Sequence, residues 1–313
     1  MLPVKVHTEP AESYERPATP WLRELVERIG APGDRFLVVN RIPDEPDSFV
    51  QVWHEAGGDY QVEHRAGAPD RHFQAFVPTA AEVARMMLGW ARQEKGWDLG
   101  TAWERLDFPV EEAPLPLDEA VEEELTGLVR ERLRCGYDDR AALTEYAGYV
   151  LGGPDGNAGP GPGAGGSLVS PAQARQLVDR LWRERVAEQA GWEGETDPER
   201  LTRAFEALDA RGITARENFA CCRNCGLAEI GGEGAQDARG FVFFHSQCTE
   251  GAAAGHDLWL LYGGFAAGDE LTASVGREVV AALDGVGLHW VWDGSAQDAV
   301  RVTGVDWRKR LVG

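Results

Sequence analysis

No stretch of this chain approaches the ~20 consecutive apolar residues that a membrane-crossing helix requires, so no span is expected. The first residues, Met1-Leu2-Pro3-Val4-Lys5, lack the basic-then-apolar order of a secretory leader. The expected compartment is therefore the cytoplasm. Positive charge is also short: 31 Lys and Arg face 52 Asp and Glu, a net charge of -21. Only three of those basic residues are lysine. A field of that sign repels phosphate backbones and anionic lipid, which argues against nucleic acid and membrane partners. A protein partner with a basic surface, or simply a well-solvated surface that keeps the chain in solution, fits better, and the solvated surface is the leading reading.

Catalytic and nucleotide signatures are missing too. There is no nucleophile elbow, no Walker-type phosphate loop and no dinucleotide fingerprint. The glycine-rich run from Gly251 to Gly255 carries neither the lysine nor the preceding strand that a phosphate loop needs. Cysteine is scarce, with five in 313 residues. Its distribution is therefore informative: four of the five lie between Cys221 and Cys248.

What is present is ordinary globular material. Hydrophobic residues make up 43% and charged residues 27%, and the length suits about two domains. The polar, Pro- and Glu-rich tail through Pro20 reads as irregular. Trp21, Leu22, Leu25, Val26 and Ile29 then recur at helical spacing. Four β-type runs follow at 35–41, 48–55, 59–65 and 71–77, with Gly57-Gly58 and residues 66–70 as turns. Thr79 caps a helix carrying Val83, Met86, Met87 and Trp90. Residues 20–108 are thus expected to form an N-terminal α+β domain, an antiparallel sheet flanked by helices.

An acidic, proline-bearing connector leads to a helix from Asp118, acidic in its first turns, basic in its last, and ending at Gly136. A second helix spans 138–151. Eleven of the residues 152–166 are Gly or Pro, which predicts a flexible loop interrupting the second domain. Ser170-Pro171 and Asp197-Pro198 each open a helix. Strands are expected at 240–245 and 257–262, a helix at 273–284, and a hairpin pairing 288–292 with 299–303. The second domain, 117–313, is therefore read as a helical segment leading into a C-terminal β-β-α-β-β unit.

Several runs carry a resemblance. They are Phe205-x-Ala207-Leu208-x-x-Arg211-Gly212-Ile213-x-Ala215-Arg216-Glu217-Asn218-Phe219, then Cys221-Cys222-x-x-Cys225-Gly226. The later Phe243-Phe244-His245, Leu261-Tyr262-Gly263 and Trp292-Asp293-Gly294 runs join them. Together they resemble a family of uncharacterised, mostly actinobacterial proteins over residues 117–313. The resemblance implies a domain of unknown function and carries no activity.

Chemistry concentrates in Cys222-x-x-Cys225 and His245-x-x-Cys248. Two short pairs from separate loops are what a tetrahedral zinc site asks for, so Cys222, Cys225, His245 and Cys248 are the expected Zn2+ ligands. Of these, Cys248 is the one the resemblance supports least. Gly226 is expected to supply the positive φ of a knuckle turn. The first reading is a non-catalytic interaction or regulatory protein with a structural zinc. The alternative is a thiol enzyme or redox protein, with Cys222 as nucleophile, Cys225 as resolving thiol and His245 as base. Against it, residues 216–220 do not read as the strand that precedes a thioredoxin-like pair. Buried, inert cysteines are the third reading, and the one given to Cys135. In the N-terminal domain His54, His64 and His72 read first as half-exposed polar residues on the wet side of the sheet, with metal binding as the alternative. It depends on a hairpin register that puts Arg65 opposite Arg71 and His64 opposite His72.

Overall fold

The structure is a computed structural model describing residues 1–109, 112–151 and 168–311. The loop expected at 152–166 lies outside the described residues. The fold is α+β. Two compact units divide the chain: Met1–Asp118 with Asp139–Val186 and the chain end from Leu311, and Glu119–Asp138 with Ala187–Arg310. Among the described residues no helix is long and apolar enough to cross a membrane.

The first unit opens with β1 (Val4–Thr8), β2 (Ser13–Glu15) and α1 (Thr19–Arg28). Strands β3 (Phe36–Arg41), β4 (Ser48–Trp53), β5 (Tyr60–Ala66) and β6 (His72–Val77) follow, then α2 (Ala80–Ala91) and β7 (Glu104–Leu106). The seven strands form one antiparallel sheet in the order β2-β1-β3-β4-β5-β6-β7. Alternation sets its inner face: Val4 and Val6, Leu37 and Val39, Val50 and Val52 are fully or almost fully buried. The helices answer with Leu22, Leu25 and Val26 from α1 and Val83, Met86, Met87 and Trp90 from α2. Thr79 caps α2 by accepting from the Glu82 amide at 3.3 Å, a contact worth about 1 kcal/mol.

The four expected central strands and both helices are present. The tail through Pro20 is not irregular, because β1 pairs with β3 along its whole length, from Val4 opposite Arg41 to Thr8 opposite Leu37. That partner lies some thirty residues away in sequence, so no local pattern announces it.

The β5–β6 hairpin differs from expectation by one residue. Pro69–Arg71 form a single 3-10 turn that takes Arg71 out of the strand. Arg65 therefore faces His72, and His64 faces Phe73. His64 stacks on Phe73 with ring centroids 5.1 Å apart, and meets Trp97 and Trp103 edge-on. The His72 imidazole instead bonds Glu63 at 3.0 Å and Arg65 at 3.1 Å, and His54 stacks on Tyr60. The three histidines serve packing and sheet hydrogen bonding, which removes the metal reading for them.

Helix α3 (Glu119–Cys135) belongs to the second unit, whereas α4 (Arg140–Tyr149) and most of α5 (Pro171–Gln189) return to the first. Arg140 ties these helices to the β3–β4 turn, bonding Asp44 at 2.7 Å and Asp179 at 2.5 Å. The fully buried Trp182 donates its indole N–H to the Asp44 carbonyl at 2.6 Å.

The second unit continues with α6 (Asp197–Asp209), β8 (Ile213–Arg216), α7 (Arg223–Glu229), β9 (Gly240–Phe243), α8 (Ser246–Ala253), β10 (Leu258–Gly264) and α9 (Asp269–Gly285). It closes with β11 (Trp290–Val291) and β12 (Val300–Val302). The sheet runs β11-β12-β10-β9-β8, with β8 parallel to β9 and the other pairs antiparallel. Val242, Phe244, Leu258 and Leu260 bury against Val275, Val279 and Leu283 of α9 and Leu201, Phe205 and Leu208 of α6. Strands β9 and β10, helix α9 and the final hairpin stand where the sequence places them. Strand β8 and the short helices α7 and α8 are additional.

Candidate metal centre

Three structural facts deliver the cysteines to one place. Strand β8 ends at Arg216, and the chain then turns sharply. Asn218 and Ala220 both adopt left-handed backbone, with φ of 48° and 58°. The turn is held to the segment after β9. The Phe219 amide donates to the Phe244 carbonyl at 2.8 Å, and the Ser246 amide to the Ala220 carbonyl at 3.1 Å. Ser246 Oγ donates to the Cys221 carbonyl at 3.1 Å, and Thr249 Oγ1 to Asn218 Oδ1 at 2.8 Å. These bonds fix where Cys221 and Cys222 emerge.

Helix α7 then starts with Cys222 as its capping residue, and its first turn brings Cys225 back beside it. The Gly226 amide closes that turn on the Cys222 carbonyl at 3.0 Å. Gly226 is buried in the helix and is absent from the positive-φ positions, so the expected knuckle geometry is not its reason. A Cβ there would run into the ring of Phe243. Glycine lets α7 lie directly on β9.

The resulting cluster is Cys221, Cys222 and Cys225, with all three Sγ atoms within 4.8 Å of one another. Around one zinc, Zn–S bonds of about 2.3 Å place tetrahedral sulfurs about 3.8 Å apart, which small side-chain rotations from this arrangement reach. Cys221 is exposed and the other two are half-buried, so an ion has access. The thiol chemistry is divided. Cys222 is held below the usual thiol range, chiefly because the Cys225 amide donates to it, assisted by the neighbouring thiols. Cys225 is pushed up to about 11 because it shares its proton with Cys221 and Cys222 and feels their charge. Cys222 is therefore the easier of these two thiols to ionise, and closing the set asks for a cation.

The expected ligand set is split in two. Cys222 and Cys225 join Cys221, which the sequence reading left aside. His245 and Cys248 form their own pair, with His245 Nε2 3.4 Å from Cys248 Sγ. His245 is the capping residue of α8 rather than the end of a strand. Its Nδ1 is buried with no hydrogen-bond partner among the described residues. Burial lowers the His245 pKa, and the Arg223 charge adds to that. Burial likewise raises the Cys248 thiol. Both groups are thus pushed toward their neutral forms, the opposite of a thiolate–imidazolium pair. Cys135 is half-buried at the end of α3 and its thiol is pushed up to about 11 by burial.

Residues 217–220 form no strand, as expected, but a strand does precede them. Strand β8 stops five residues short of Cys222, so the order is strand, loop, C-x-x-C, helix.

Beneath the turn lies a polar anchor. Tyr137 donates its hydroxyl to Glu217 at 2.5 Å, and Lys309 reaches the same carboxylate at 3.0 Å while lying 4.4 Å over the tyrosine ring. Glu217 is thereby held between two donors immediately before the turn that carries the cysteines.

Residues 118–311 match the family model described as a domain of unknown function, DUF6891. No curated protein and no solved structure matches the chain.

Proposed function

The chain belongs to the DUF6891 family, and since that description assigns no activity, we propose from the geometry that it is a metal-thiolate protein whose second unit holds one zinc ion. Cys221, Cys222 and Cys225 supply three thiolates. His245 is the residue best suited to complete the set, since the turn carrying Cys221 is bonded to Ser246 next to it and its buried Nδ1 has no hydrogen-bond partner among the described residues. This replaces Cys248 of the sequence reading with Cys221. The carrying observation is the approach of three sulfurs to within 4.8 Å of one another on a turn held by backbone bonds. Zinc would cross-link that turn and the start of α7, a structural role in which no open coordination position is needed.

On this reading the protein is a non-catalytic, cytoplasmic interaction or regulatory protein. Its net charge of -21 favours a basic protein partner. The resemblance to actinobacterial proteins, carried largely by the Cys-Cys-x-x-Cys-Gly block, supports treating that block as the family's working feature. Elemental analysis of protein purified without added metal tests the zinc reading. Close to one zinc per chain is expected, and less than ~0.2 would sink it, because a structural site copurifies nearly full.

A second reading is favoured by the order of strand, C-x-x-C and helix and by the divided thiols. In it the Cys222 thiolate attacks a substrate disulfide, releasing one substrate thiolate and forming a mixed disulfide. Cys225 then displaces the second substrate thiol, leaving a Cys222–Cys225 disulfide and a reduced substrate. Metal-free protein with a Cys222–Cys225 disulfide as isolated would favour it over zinc.

A further inference from the structure

The first unit contains a cavity of about 640 Å3 that has no part in the thiol chemistry. That volume lies within the range of small-molecule sites, roughly 300–1,000 Å3. Its wall is aromatic: Phe73 from β6, Trp90 from α2, Trp97 from the loop after α2, and Trp182 from α5. Trp90 and Trp182 are buried and form the rigid back, whereas Phe73 and Trp97 keep part of their rings accessible. The two partly accessible rings, Phe73 and Trp97, can offer a face to a planar group.

The charges around it are unequal. Arg41, Arg65, Arg71 and Arg183 line the cavity against Asp44, Glu45 and Asp98. Glu45 is taken by Arg41 at 2.8 Å, and Asp44 by Arg140 at 2.7 Å. Arg65 is taken by Asp47 at 3.2 Å and by His72. Arg71 and Arg183 have no carboxylate within ion-pair reach among the described residues, although both are exposed at the cavity. Asp98 likewise has no ion-pair partner among the described residues, so two guanidiniums face one carboxylate at this aromatic hollow, in a chain with 31 basic against 52 acidic residues. Guanidinium groups bind carboxylate and phosphate in a two-pronged geometry that a lysine does not reproduce.

We infer that this cavity binds a small organic anion bearing a planar ring, the ring lying against Trp97 and Phe73 and the anionic group on Arg71 and Arg183. An inorganic anion alone would leave most of the volume empty and the aromatic wall unused. A polynucleotide is disfavoured by the overall negative field. A nucleoside monophosphate and an aromatic carboxylate of similar size share the required chemistry, and the probes separate them.

The test is isothermal titration of the full chain with AMP, GMP, CMP, indole-3-acetate, adenosine and inorganic phosphate. Saturable binding of at least one ring-bearing anion is expected, tighter than that of phosphate alone or of uncharged adenosine. Binding by the nucleotides assigns the anionic group as phosphate, and by indole-3-acetate as carboxylate. The Arg71→Gln/Arg183→Gln double variant should bind at least about tenfold more weakly, while keeping the wild-type melting temperature because neither side chain has an ion-pair partner among the described residues. Trp97→Phe should weaken binding less, and Cys222→Ser should not alter it. No saturable binding at millimolar ligand would overturn the inference. So would equal binding of inorganic phosphate, or undiminished affinity in the folded double variant.

Discussion

Gly226 lies so close to Phe243 that any side chain at position 226 would occupy the phenyl ring's space. The pair seats the first turn of α7 on β9, and that turn carries Cys222 and Cys225.

Gly226→Ala should therefore destabilise the second unit by about 1–3 kcal/mol, the usual cost of forcing a methyl into a packed site. Urea unfolding measures it. Adding Phe243→Leu should recover part of the loss, because it removes the clashing ring edge. If Gly226→Ala alone is neutral, α7 does not rest on Phe243 as described.

The divided thiols give a reactivity prediction for metal-free, reduced protein. Cys222 should be alkylated by iodoacetamide at lower pH than an ordinary thiol, and Cys225 only as the pH approaches about 11. Peptide mass spectrometry across a pH series resolves the two sites. Equal rates for both at every pH would contradict the shared proton.

His64 supplies a pH dependence in the first unit. Burial lowers its pKa from 6.5 to about 4, so the folded state holds it neutral while the unfolded chain protonates it near 6.5. Between these values the unfolded state binds more protons. The His64 contribution to stability is therefore complete above pH 6.5 and is lost as the pH falls toward 4. His64→Phe, which keeps a ring among Phe73, Trp97 and Trp103, should flatten that part of the stability profile in urea titrations at pH 4.5 and 7. An unchanged slope would place the dependence elsewhere.

Glu217 should matter to the cysteine turn without touching it. Glu217→Ala leaves the buried Tyr137 hydroxyl and the Lys309 ammonium without their shared acceptor, at a cost of about 1–3 kcal/mol. Thermal unfolding reads the loss. Glu217→Gln, which keeps an acceptor, should lose less than Glu217→Ala.

The sequence was most legible where its signals are local. Thr79 followed by the apolar stripe of Val83, Met86 and Met87 announces α2 and its cap. The β-branched and aromatic runs announce β3 to β6, and Val275, Val279 and Leu283 announce α9. It was least legible where a strand depends on a distant partner. Val4 and Val6 become strand β1 only because Val39 and its neighbours lie beside them. The hairpin register slipped because the 3-10 turn at Pro69–Arg71 consumes Arg71. At the candidate site, C-x-x-C spacing pointed to Cys222 and Cys225, which the structure brings together with Cys221. Cys221 was left aside because it falls outside the two short pairs, Cys222-x-x-Cys225 and His245-x-x-Cys248. In the structure the helix begins after Cys222, and the left-handed Ala220 turns Cys221 toward the other two thiols. A non-glycine turn of that kind leaves no signature in composition or periodicity.

The most direct test compares zinc content in three proteins purified side by side without added metal: wild type, Cys221→Ser and Cys248→Ser. Close to one zinc per chain is expected in wild type and in Cys248→Ser, with near-complete loss in Cys221→Ser. Full zinc in Cys221→Ser together with loss in Cys248→Ser would contradict it, since the ion would then sit on Cys222, Cys225, His245 and Cys248 and the triad would not be the site.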